Sequence, residues 1–213
     1  MDTRVKICGL KTPETVAAAV EAGAHYLGFN FFPKSPRYVD PAVARVLALE
    51  VPVGVAKVAL TVDASDDDLA RLLDTVPIDI LQLHGHEDLE RVAAVRARFG
   101  LPVMKAVGVS EPRDLQALDA YGMVADQLLV DAKAPKGAAL TGGNGLPFDW
   151  RLISKRGWNA PWMLAGGLTA ANVVQAVQMT GAKQVDLASG VETAPGVKDV
   201  GLIRAFMDTL RAA

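Results

Sequence analysis

The sequence predicts an α/β fold in which eight parallel strands, each followed by a helix, close into a (β/α)8 barrel of the TIM-barrel type. Short β-branched or apolar runs alternate with helical patterns along the whole chain, which is typical of βα units around a parallel sheet. We count eight such units in 213 residues. A doubly wound sheet would usually have fewer strands and a switch point, so the barrel is favoured.

The candidate strands are short apolar runs that end at turns or polar residues. They cover residues 5–8, 26–31, 53–62, 78–83, 103–107, 127–131, 162–164 and 184–187. No linker rich in proline and serine interrupts them, so residues 1–213 are predicted to form a single domain. The irregular stretch 132–148, after the sixth strand, has the length of a functional or mobile loop.

Helices are predicted between the strands by apolar spacing and by N-cap signals. One core-facing stripe comprises Leu69, Leu72, Leu73 and Val76, and another comprises Val200, Ile203, Met207 and Leu210. This spacing is typical of an amphipathic helix packed on a core. Thr12, Ser65 and Thr169 are the predicted N-caps of three helices.

Composition limits the class of partner. The net charge is −2 and no basic run is present, so neither nucleic acid nor another polyanion is an expected partner. A small anionic substrate stays possible, because a few arginines and helix N-termini can hold an anion inside an acidic protein. The single cysteine fits a reducing compartment, and no apolar run approaches the ~18 residues of a membrane span. We therefore predict a cytoplasmic, soluble protein without a membrane partner.

Cys8 and Asp131 end the first and the sixth predicted strand. Taken alone, a cysteine there is most often a small hydrophobe, and such an aspartate can be a helix cap or a loop tie. In a parallel barrel, however, both strands open onto the C-terminal face, where active sites lie. A thiol flanked by Lys6 and Lys11 could then act as a base or nucleophile, and the carboxyl as its acid partner.

Two glycine turns follow the last two strands. Gly166 and Gly167 come after the seventh strand, Ser189 and Gly190 after the eighth, and Gly196 stands just before the last helix. Such turns are often no more than tight bends. In a barrel, these two loops commonly bind phosphate through backbone N–H groups, which favours a phosphorylated small-molecule substrate.

Three polar side chains at other strand ends are further binding candidates. Arg37 lies in a loop stiffened by two prolines, where it is either a solvated cation or a two-pronged clamp for a carboxylate. Gln82 and His84 are predicted to lie at the rim after the fourth strand. His86 is expected to be exposed, because two histidines two residues apart are a weak zinc signal without a third well-placed ligand.

The chain resembles the phosphoribosylanthranilate isomerase family of tryptophan biosynthesis over almost its whole length. The resemblance rests on residues 6–9 (KICG), 34–38 (KSPRY), 82–85 (QLHG), 131–133 (DAK), 148–150 (FDW), 164–168 (LAGGL), 189–192 (SGVE) and 195–199 (PGVKD). The chain departs from the usual family pattern at Asn144, in the loop after strand six, and at Ala188.

The resemblance implies an Amadori rearrangement that needs no cofactor and no metal. It assigns Asp131 as the general acid that opens the furanose ring and Cys8 as the general base that removes the C2′ proton. Arg37 is expected to bind the substrate carboxylate and the glycine turns its phosphate, aided by the opening of a helix near Gly196, while residues 132–145 close over the sugar. For this chemistry burial should favour the protonated carboxyl of Asp131, and nearby positive charge should lower the pKa of Cys8.

Two other interpretations remain open. A histidine-pathway sugar-phosphate isomerase runs the same type of rearrangement with a pair of aspartates, whereas this chain has Cys8 at the end of strand one. A non-catalytic phosphate-ester-binding barrel is the second alternative, since a fold does not entail an activity. A monomer is the expected state, and a dimer is not excluded.

Overall fold

Eight parallel strands follow one another in chain order around a closed barrel in the computed structural model, which describes residues 2–133 and 148–213. The strands are β1 (Arg4–Cys8), β2 (Tyr26–Asn30), β3 (Ala56–Thr61), β4 (Ile80–Leu83), β5 (Val103–Val109), β6 (Gln127–Ala132), β7 (Trp162–Leu164) and β8 (Gln184–Leu187). Pairing of β1 with β8 closes the ring. The predicted barrel is confirmed.

Helices cover the outside of the barrel. They are α1 (Pro13–Glu21), α2 (Pro41–Leu49), α3 (Asp66–Thr75), α4 (Leu89–Phe99), α5 (Leu115–Tyr121), α6 (Val173–Thr180) and α7 (Val200–Ala212). The side chains of Thr12 and Ser65 cap α1 and α3 as predicted. Between β6 and β7 the described residues hold only a 3₁₀ helix, Trp150–Leu152. The loop prediction for 132–148, including Asn144, falls almost entirely outside the described residues.

Strand alternation divides the side chains between two layers. On β1, Val5 and Ile7 belong to the large apolar core that the helices share. A smaller cluster fills the barrel interior with Met104, Leu129 and Met163. Lys6 and Cys8 alternate with Val5 and Ile7, and therefore face the interior.

Three local predictions were wrong. The third strand begins at Ala56 rather than Val53, which is fully exposed in the preceding turn. Helix α6 begins after Asn172, whose side chain accepts from the Thr169 N–H, so Thr169 is not its N-cap. Gly196 lies between β9 (Glu192–Ala194) and β10 (Val197–Lys198) of a two-stranded hairpin, three residues before Asp199, the N-cap of α7. These positions were set by tertiary packing, which overrides local signals.

Among the described residues, none of the helices is both long enough and apolar enough to cross a membrane.

Candidate active site

Cys8 is the last residue of β1, and its side chain lies over a glycine of the neighbouring strand. The thiol is buried, and Cys8 pairs in register with Gly28 of β2. A Cβ atom at Gly28 would lie only 2.8 Å from the Cys8 Sγ. The space that the thiol occupies therefore exists because position 28 has no side chain.

Charged side chains surround this thiol. Lys6, one inward position below Cys8, is completely buried and its Nζ lies 2.7 Å from Oδ1 of Asp186 on β8. Burial raises the pKa of Cys8 above its ordinary value, and the positive charges of Lys6 and Lys198 oppose that rise without overcoming it. The prediction of a net lowering was wrong, because loss of solvent outweighs the effect of the nearby cations. Lys11 is not part of this cluster; it donates to the Pro36 carbonyl.

Arg37 reaches this site from the loop after β2. Its Nε and Nη2 donate to the two carboxylate oxygens of Glu192 at 2.8 and 2.9 Å. Lys198 also binds Glu192 and donates to the Ala188 carbonyl at 3.0 Å. Hydrogen bonds and charge from Arg37 and Lys198 outweigh burial, which acts in the opposite direction, and hold the pKa of Glu192 below its ordinary value. Through Glu192 and Lys198, the β9–β10 hairpin thus links Arg37 to Ala188, the residue that follows β8.

Asp131 is held at the end of β6 by contacts on two sides. Its Oδ1 accepts the N–H of Ala132 at 2.8 Å, and its Oδ2 lies 3.4 Å from His84 Nε2. The other ring nitrogen of His84 contacts the Gln82 amide at 2.8 Å. With the amide nitrogen donating to Nδ1, the imidazole proton is on Nε2 and points at Asp131.

The two glycine turns touch each other. Gly166 and Gly167 adopt positive φ values of 87° and 63°, conformations that favour glycine. A Cβ at Gly190 would lie 1.9 Å from the Leu168 carbonyl oxygen, and a Cβ at Gly166 would lie 3.2 Å from Oδ1 of Asp131. The phosphate-site candidates therefore form one continuous surface that begins beside the acid candidate.

These contacts place the site candidates around one mouth of the barrel. Lys198 links the surroundings of Cys8 to Ala188, and Ser189 and Gly190 follow directly. Gly190 meets the turn after β7, and Gly166 of that turn meets Asp131. An acid and a base at this end can face a single small substrate from different strands.

The chain matches known proteins over nearly its whole length. Residues 5–209 match the family model of N-(5′-phosphoribosyl)anthranilate isomerase. The chain belongs to this isomerase family. The enzyme of that name from Cereibacter sphaeroides (strain ATCC 17029) is 64% identical over 208 residues, covering 98% of each chain. The one from Ruegeria sp. (strain TM1040) is 58% identical over 212 residues, covering 99% of each.

Solved structures of phosphoribosylanthranilate isomerases share the fold. The Thermotoga maritima enzyme superimposes with a TM-score of 0.89 at 36% identity, covering 99% of this chain and all of that one. A second structure of the family contains reduced 1-(o-carboxyphenylamino)-1-deoxyribulose 5-phosphate. It gives a TM-score of 0.84 at 33% identity, with 99% of this chain and 100% of that chain covered.

One predicted binding residue of this isomerase, Gln82, lies in a different place from the one expected. Gln82 has no exposed surface, so it lies beneath the rim and contacts His84 instead of opening onto the mouth. His86 is exposed as predicted and lies 3.2 Å from Asp63. The described residues contain no group of three or more clustered His, Cys, Asp or Glu side chains suited to hold a metal ion.

Sequence reasoning missed Asp186, Glu192 and Lys198 as members of the candidate site. Asp186 carried a usable signal, since it interrupts the apolar run of β8 at an inward position, as Lys6 does in β1. A charged residue there is expected to have a buried partner. Glu192 and Lys198 lie in the motifs 189–192 and 195–199 that carry the resemblance, but no local pattern indicated their role, because a hairpin brings them to the mouth.

Proposed function

We propose that this chain converts N-(5′-phosphoribosyl)anthranilate into 1-(2-carboxyphenylamino)-1-deoxyribulose 5-phosphate in tryptophan biosynthesis, with Asp131 as general acid and Cys8 as general base. The observation that carries the assignment is the position of a thiol and a carboxyl at one end of the barrel, joined by two contacting glycine turns. Family membership supports the substrate.

The first half of the reaction needs a proton donor. Asp131, in its protonated form, gives its proton to the furanose ring oxygen while the C1′–O bond breaks. The anthranilate nitrogen supplies its electron pair, and a protonated Schiff base forms. His84 lies 3.4 Å from the carboxyl and Gln82 supports His84 from below, so these two residues orient the acid.

The second half needs a base. The Cys8 thiolate takes the C2′ proton, and the electrons of that C–H bond form the C1′=C2′ double bond of an enolamine. Tautomerisation then adds a proton to C1′ and removes one from the C2′ hydroxyl, which gives the aminoketose. Cys8 loses the proton that it took and Asp131 regains one, so both groups return to their starting protonation states. C2′ is oxidised and C1′ is reduced within the same molecule, so no redox partner is required.

Two anion sites would hold the ends of the substrate. Arg37 is assigned to the carboxylate, because a guanidinium held rigidly by Glu192 presents a fixed, planar set of donors. The phosphate is assigned to the N–H groups of Gly166, Gly167, Ser189 and Gly190, whose turns are partly exposed at the mouth. A cytoplasmic location and a monomeric state are part of the proposal.

The thiol distinguishes this proposal from its alternatives. A histidine-pathway isomerase would use a carboxylate where Cys8 stands, and a non-catalytic barrel would have no use for an acid and a base at its mouth. The first would process a substrate without the anthranilate ring, and the second would bind a phosphate ester unchanged.

The test is loss of substrate fluorescence. N-(5′-phosphoribosyl)anthranilate is formed in situ from anthranilate and phosphoribosyl pyrophosphate, and its decay is followed after the protein is added. We expect rapid decay with the unmodified chain. Cys8→Ala and Asp131→Asn should each lower kcat by about 10²- to 10⁴-fold, since each removes a proton-transfer group. Both variants should still bind the reduced product analogue.

Asp79→Asn is the matched control, because Asp79 precedes β4 at the opposite end of the barrel and pairs with Lys57. It should retain full activity. Decay no faster than the spontaneous background, or full turnover in either site variant, would refute the assignment.

A further inference from the structure

We propose that Lys6, held by Asp186, is a positioning residue that keeps Cys8 available as a thiolate for the base step. The inference rests on the proposed role of Cys8 as general base. It adds Lys6, which lies inside the barrel, to the proposed acid and base, Asp131 and Cys8, at the mouth of the barrel.

Strand geometry places the lysine under the thiol. Lys6 and Cys8 are two residues apart on β1 and face the same side. Lys6 is in register with Asp186 on β8, and the two side chains are 2.7 Å apart with 0% and 10% of their surface exposed. The positive charge of Lys6 acts to lower the pKa of the Cys8 thiol. Lys6 therefore binds a carboxylate on the neighbouring strand and lies one inward position from the thiol on its own strand.

Charge counting around the thiol supports the role. The groups that act on Cys8 are Lys6 and Asp186 below it, with Arg37 and Lys198 beside it. Glu192 is bound to both Arg37 and Lys198. Three of these groups are cations and two are anions, so the set carries a net positive charge. A net positive charge close to a thiol favours its charged form, the thiolate.

A second buried pair shows what a purely structural lysine looks like in this barrel. Lys105 and Glu87 are also 2.7 Å apart and buried. Lys105 donates to the Gly85 carbonyl, and Glu87 accepts the backbone N–H groups of Asp63 and Gly85. That pair anchors the turn after β4, whereas Lys6 binds Asp186 and shares the inward face of β1 with Cys8.

No proton moves to or from Lys6 in this scheme. During the base step the C2′ proton goes to the Cys8 sulfur, and Lys6 remains an ammonium ion before and after. Its contribution is to stabilise the charged form of the thiol against the effect of burial. Replacing it with an uncharged residue should therefore raise the pKa of Cys8.

The thiol can be titrated directly, because Cys8 is the single cysteine of the sequence. The absorbance of the thiolate near 240 nm is recorded against pH, and the Cys8→Ala spectrum is subtracted to remove the tyrosines. Lys6→Met should move the midpoint upward by at least about one pH unit, the size expected for a neighbouring charge. The acid limb of kcat/KM should move upward with it, and Lys6→Arg should restore part of both.

Lys105→Met is the control, since it removes a buried lysine from an ion pair of the same length elsewhere in the barrel. The titration midpoint of Cys8 in Lys105→Met should equal that of the unmodified chain. An unchanged midpoint in Lys6→Met, or an equal rise in Lys105→Met, would overturn the inference.

Asp186→Asn gives a test of opposite sign should Lys6→Met fail to fold. Without the Asp186 carboxylate, the positive charge of Lys6 acts on the thiol unopposed, so the midpoint of the Cys8 titration should fall. A rise or no change would count against the positioning role of Lys6. The titration needs no substrate. A failure of the proposed function would instead appear as an active Cys8→Ala variant, which is a separate result.

Discussion

Arg37 is the proposed ligand of the substrate carboxylate, and it also forms an ion pair with Glu192 in the candidate site. Its guanidinium is buried and bound through two nitrogens to Glu192. A planar, fixed donor set of this kind distinguishes a carboxylate from a single charged atom by geometry. A lysine at the same place would keep the charge and lose the geometry.

We therefore expect Arg37→Lys to weaken binding of the reduced product analogue about 10- to 100-fold, the loss of one charge-assisted hydrogen-bond pair. KM should rise by a similar factor and kcat should change less, because the acid and the base are untouched. Isothermal titration and steady-state kinetics measure the two effects. Lys34→Met, an exposed cation of the same loop, is the control. Undiminished affinity in Arg37→Lys would exclude Arg37 from the carboxylate site.

At the scale of elements, the pairing of β1 with β2 creates the space for the thiol. Cys8 and Gly28 are partners in register. In the same way, a glycine of the β9–β10 hairpin allows the hairpin to approach the loop after β2. Gly196, with φ of 79°, approaches the Pro36 carbonyl so closely that a Cβ would lie 2.2 Å from its oxygen. Glycines thus let backbone and side chains meet where the mouth is most crowded.

Gly28→Ala should displace the Cys8 side chain, since the new Cβ would lie 2.8 Å from Sγ and 3.0 Å from Cα of Cys8. We expect kcat to fall at least about tenfold, because small errors in the placement of a catalytic group are costly. Gly157→Ala is the comparison, as a Cβ there meets nothing within 4 Å. If Gly28→Ala retained the full kcat, the thiol would not need its present position.

At the scale of the whole molecule, the chain ends close the barrel. β1 pairs with β8, and helix α7 packs beside α1 on the outside. One face of α7 is buried, with Ile203, Phe206, Met207 and Leu210 all at 4% exposure or less. The last helix therefore completes the core that the first strand begins.

Phe206→Ala should lower the free energy of unfolding by about 3–5 kcal/mol, the usual cost of removing a buried aromatic ring. Urea denaturation followed by circular dichroism measures this loss. Leu202→Ala on the same helix should cost far less, because Leu202 is 40% exposed. Equal losses in the two variants would contradict the role of the buried face. Folded Phe206→Ala protein should remain active, since Phe206 lies outside the mouth.

Local pattern was enough for most of the architecture and for the ends of the strands. Strands β7 and β8 begin and end at the predicted residues. For β7 the reason is that a buried parallel strand reads as a continuous apolar run. Cys8 and Asp131 were recognisable because reactive groups that end such runs reach the mouth of a barrel. The third strand was placed too early, since Val53 looks like a strand residue and is exposed in a turn.

The sequence by itself determined the eight strands of the barrel, the strand ends that carry the acid and base candidates, and the glycine turns of the candidate phosphate site. Only the tertiary structure decided which charges meet the thiol: Lys6 with Asp186 across the closing strands, and Arg37 with Glu192 across the hairpin. These partners are 180 and 155 residues apart in the chain. Periodicity describes the faces of single elements, whereas the charge around a buried group depends on which elements the closed barrel brings together.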